Sequence, residues 1–168
     1  MAFESAEFTP YLDLFPTWLE TLGADVRELT SLLSSRDEDD ASRRLSVGLD
    51  YVVRSMSLLA DGTEELSYFD DAFVLRVAAL RACEADESAR DGLVARLAQE
   101  AEVVAAFLGE GEYEKLLARV DSLLLADGRA VKLDDAMAWA HDYAVPEFKA
   151  DARSLIRLRA FVTARLAS

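Results

Sequence analysis

An all-α fold, a single-domain helical bundle of about six to eight helices, is what this chain predicts from its spacing of apolar residues and its composition. Ala and Leu carry much of a hydrophobic fraction of 52%, and only 7 Gly and 3 Pro punctuate 168 residues. Strong helix formers therefore dominate, and few turn residues remain for a multi-stranded sheet. Apolar residues also recur at intervals of three and four, the period of one helix face. A chain of this length buries roughly 70% of the surface its unfolded form exposes, enough for one core. One domain over residues 1–168 is expected.

Pro16 is placed to open the first long helix, because a first-turn residue has no use for the N–H that proline lacks. Leu19, Leu22, Val26, Leu29, Leu32 and Leu33 then continue one face towards Ser34, with Gly23 a weak point. The run Arg36-Asp37-Glu38-Asp39-Asp40 sets acids before a second segment, where a helix dipole favours them. That segment carries Leu45, Leu49, Val52, Val53, Met56 and Leu59 to the turn signal Asp61-Gly62. Ser67, three residues before Asp70, has loose capping-box spacing and predicts a helix opening there and running through Phe73, Val74, Val77 and Leu80. Tyr68, Phe69, Phe73 and Leu75 are expected in or near the core beside the Tyr51 helix.

Two further helices are predicted over about 86–108 and 112–125, with Gly109-Glu110-Gly111 supplying the reversal between them. Asp127-Gly128 breaks the pattern again, a shorter helix spans about 133–143, and Pro146 opens a terminal helix reaching Leu166. Trp18, Trp139 and Phe148 stand at helical positions and suit core anchors. Leu58 to Gly62 followed by Asp70-Asp71-Ala72 is echoed by Leu124 to Gly128 followed by Asp134-Asp135-Ala136. Chance in an Ala/Leu/Asp-rich chain and an old duplication both account for the echo.

The segments Leu49-Asp50-Tyr51, Ser57-Leu58-Leu59-Ala60-Asp61-Gly62 and Tyr68-Phe69-Asp70-Asp71-Ala72-Phe73-Val74-Leu75 resemble the YkvA-like family (domain of unknown function 1232). Its pattern runs A-L-x-Y, D-L-I-P-D, then G-Y-L-D-D and an aliphatic helix. Tyr51, Leu58, Asp61, Tyr68, Asp70 and Asp71 occupy motif positions, while Ser57, Ala60 and Ser67 replace the family's Asp, Pro and Gly. The resemblance implies a shared helix-turn-helix over about 45–82, and no chemistry, since the family has none established. Ala126 to Asp135 faintly resembles the turn of TerB-like tellurite-resistance domains, which would imply an acidic metal site at Asp127, Asp134 and Asp135.

A net charge of −14 opposes attraction to phosphate backbones and anionic lipid, so nucleic acid is not expected as a partner. Arg54 and Arg76 interrupt the two most apolar regions well short of the roughly 18 residues a transmembrane helix needs. Cys83 is the single cysteine, and Glu4 and Glu7 stand where a signal peptide would be basic, which together predict a cytoplasmic location.

Asp70/Asp71 and Asp134/Asp135, each after an Asp-Gly turn, are the candidates for chemistry. First-turn acids stabilise a helix through its dipole, and this is the favoured role; clustered carboxylates for a hard divalent cation, with Asp127 included, are the alternative. Neither loop has EF-hand spacing: Leu66 and Lys132 fall at the glycine position, Ala72 and Ala138 at the closing Glu. His141 is the single histidine and Cys83 lies in an apolar run, so a surface residue and a core thiol are expected. Glu84 and Glu87 are half of a Glu-x-x-Glu pair with no second half. No catalytic residue and no cofactor are expected.

The terminal helix reverses the charge trend with Lys149, Arg153, Arg157, Arg159 and Arg165, while Leu155, Ile156, Leu158, Phe161, Val162 and Leu166 form its apolar side. Two roles stand open for these arginines: folding back on the acidic body, or meeting a partner. The function expected is non-catalytic protein–protein interaction, with Arg153, Arg157 and Arg159 contacting a protein partner or a second copy of the chain. A small divalent-metal- or ligand-binding domain is the alternative.

Overall fold

A computed structural model describes residues 2–55, 64–125 and 132–167. Seven α-helices are found there: α1 (Ala2–Ser35), α2 (Asp40–Ser55), α3 (Glu64–Ala85), α4 (Gly92–Leu108), α5 (Glu110–Leu125), α6 (Leu133–Asp142) and α7 (Ala152–Ala167). A 3₁₀ turn, Glu87–Ala89, joins α3 to α4. They form one all-α bundle, with no strand among the described residues. The Asp61-Gly62 and Asp127-Gly128 turns, with Leu58 and Asp127, lie outside them.

Helix α3 is the centre of the bundle. Phe69, Ala72, Phe73, Val74, Leu75, Val77, Ala78, Ala79 and Ala82 are all buried, so the helix is wrapped on every side, as one without a polar face must be. It packs most extensively against α2 and α4. Gly48 permits the closest approach: a Cβ there would lie 2.9 Å from the Ala78 methyl. Gly23 has the same use on α1, where a Cβ would come 2.9 Å from the Tyr143 ring. Tyr143 closes that contact by donating its hydroxyl to the Leu19 carbonyl at 2.6 Å.

The core has two lobes. One joins Leu22, Val26 and Leu29 of α1 to Leu45, Leu49 and Val52 of α2, with the Ala-rich flank of α3. The other is aromatic: the Phe15 ring centroid lies 4.8 Å from Trp18, 5.0 Å from Phe107 and 5.6 Å from both Phe69 and Phe73. Phe69, Phe73 and Leu75 are fully buried and Tyr68 half-buried, as their pattern predicts.

Several boundaries differ from those expected. Pro16 does not open α1 but lies inside it, as does Pro10. Each removes one backbone hydrogen bond, yet Phe8, Tyr11, Phe15, Trp18, Leu19 and Leu22 are all buried on one continuous face, and that burial outweighs the loss. Pro146 does not open α7 either. The chain stays non-helical to Asp151, whose Oδ1 accepts from the Ser154 N–H at 2.8 Å and hydroxyl at 2.9 Å, so α7 starts at a side-chain cap. Asp86 likewise caps the 3₁₀ turn by accepting from Ser88 N–H at 3.0 Å, which separates α3 from α4. Between α4 and α5 only Gly109 is non-helical, at φ 87°, a conformation open to glycine. Gly111 is already inside α5.

Candidate functional site

The acidic pair on α3 is not at a helix start. The helix is already formed at Glu64, and Asp70 and Asp71, two turns further in, are 2% and 0% exposed. This corrects the capping role: first-turn dipole stabilisation does not reach them. Asp70 instead accepts a short hydrogen bond from the Tyr51 hydroxyl of α2 and an ion pair from Arg165 Nε of α7 at 3.3 Å. Arg119 of α5 completes the junction by donating to the Arg165 carbonyl at 2.9 Å. Three helices thus meet at one buried carboxylate, α5 joins them through the Arg165 carbonyl, and Arg165 is spent internally.

Burial pushes the Asp70 carboxyl above the usual range, against the opposing pull of the Tyr51 hydrogen bond and the Arg165 and Arg119 charges. A raised folded-state pKa means that this group's stabilisation is complete below its unfolded value and is lost as pH rises through the folded one. Asp70→Asn should therefore gain stability relative to wild type as pH is raised from about 4. Denaturant titrations of both proteins across pH test this, and a constant difference between them would refute it.

Asp134 and Asp135 do occupy the first turn of α6 and are exposed. The two acidic pairs thus lie in unlike settings, one buried and one in solvent. No three His, Cys, Asp or Glu side chains are placed to hold a metal ion among the described residues. Cys83 is buried, and burial pushes its thiol up, away from the nucleophilic thiolate. His141 is exposed in the last turn of α6 beside Asp142 at 3.1 Å.

The basic residues of α7 divide between two faces. Leu155, Leu158 and Val162 are buried inward, whereas Arg153, Ile156, Arg157, Ala160 and Ala164 are exposed outward. Arg159 does not belong with Arg153 and Arg157. At 3.6 residues per turn it stands about 200° round the helix from Arg157. It donates from Nε to the Phe107 carbonyl at 3.0 Å, near the C-terminus of α4, with its guanidinium over the Phe8 and Phe107 rings. Arg159 therefore joins α7 to α4 and is set apart from Arg153 and Arg157.

Ile156 is corrected in its placement: it is 45% exposed and lies between Arg153 and Arg157 on the outward face, not on the docked apolar side. That placement was legible in the spacing of three and four, which sets 153, 156 and 157 on one face. Arg153 makes no ion pair among the described residues, and Arg157 meets Glu65 only at 3.9 Å. Beside them an open groove of about 530 Å³ is lined by Glu65, Glu147, Phe148, Lys149, Ser154 and Arg157. Phe148 is fixed edge-on to Phe69, with ring centroids 4.7 Å apart. The periodicity of the helices could not reveal the groove, because half of it comes from the irregular segment before α7.

No described helix is long and apolar enough to cross a membrane. Comparison of the chain with protein-family models, curated proteins and solved structures found no match.

Proposed function

We propose that this protein is a non-catalytic interaction module whose contact surface is the outward face of α7, centred on Arg153, Ile156 and Arg157. The observation that carries this is the exposure of a large aliphatic side chain between two outward arginines, on a helix whose other face is fully docked. Arginine beside apolar surface is the combination enriched at protein interfaces. In a chain of net charge −14, two exposed arginines on one helix face also give encounter a direction. Arg159 and Arg165 support the surface by fixing α7 to the bundle. The YkvA-like resemblance enters only as a shared helix pair behind that surface.

The test is the double substitution Arg153→Glu and Arg157→Glu. Among the described residues Arg153 makes no ion pair and Arg157 only a long one to Glu65 at 3.9 Å, so stability should stay within about 0.5 kcal/mol of wild type. Proteins recovered from a native extract with the wild-type chain as bait should be lost with the variant. Lost stability with unchanged recovery per folded molecule would refute the reading.

A further inference from the structure

We draw no further inference here: the strongest candidate, the outward face of α7 at Ile156 with the groove beside it, matches its cations Lys149, Arg153 and Arg157 with the acids Glu65, Glu147 and Asp151, and nothing in the structure shows what covers it.

Discussion

Arg76→Ala should cost about 3–5 kcal/mol of folding stability, the range for removing one partner from a buried ion pair. Arg76 has no exposed surface at all, and burial pulls its pKa down, yet it stays charged because its partners surround it. Its Nε and Nη2 reach Glu100 at 2.8 and 2.7 Å, and its Nη1 donates to the Ala72 carbonyl at 3.1 Å. The guanidinium lies 3.8 Å over the Trp18 ring. Arg96 extends the network, reaching Glu100 at 3.2 Å and Asp25 at 2.5 Å, so α1, α3 and α4 are joined by alternating charges.

Removing Arg76 leaves Glu100 and the buried Asp25 short of positive charge, and that stranded charge is the main penalty. Arg76→Met keeps much of the volume and should be nearly as damaging. Arg76→Met with Glu100→Gln should recover part of the loss, since both charges then leave together. Urea denaturation of the three variants decides this; an Arg76→Met protein as stable as wild type would show that the network is not what joins these helices.

Phe73→Ala should cost a similar amount, about 3–5 kcal/mol, through lost burial and the cavity it leaves. The ring meets Phe15 at 5.6 Å, Trp18 at 6.0 Å, Phe107 at 5.9 Å and Phe69 at 6.5 Å, so its removal opens the aromatic lobe from the inside. Against a total stability of about 5–15 kcal/mol, either substitution brings the chain near unfolding. Phe73→Leu should lose much less, because it refills part of the space. Trp18 touches both Phe73 and Arg76, so their effects should couple rather than add. Chemical denaturation of Phe73→Ala that matched wild type would mean the lobe is not packed as described.

The helices themselves were legible in the chain. Scarce Gly and Pro and apolar residues at three and four dictate the period, and the period dictates which side of each helix faces inward. Asp86 and Asp151 were legible too, as acids whose neighbours Ser88 and Ser154 stand within reach of a local cap, although their boundaries were placed elsewhere by the prolines and by the continuous Leu and Ala pattern. The outward grouping of Arg153, Ile156 and Arg157 needed only the helical angle.

Tertiary structure alone decided which charges went inside. Asp25, Asp70 and Arg76 have the same sequence appearance as more exposed neighbours such as Asp50 and Arg54. What distinguishes them is a compensating group from elsewhere: Glu100, 24 residues from Arg76, Arg96, 71 residues from Asp25, and Arg165 from the terminal helix for Asp70. Packing also overrode the local signal at Pro16, where one unbroken apolar face kept α1 intact through two prolines. A residue's period is a property of its own segment, whereas the cost of burying its charge, or of losing one of its hydrogen bonds, is offset only by atoms that folding brings to it.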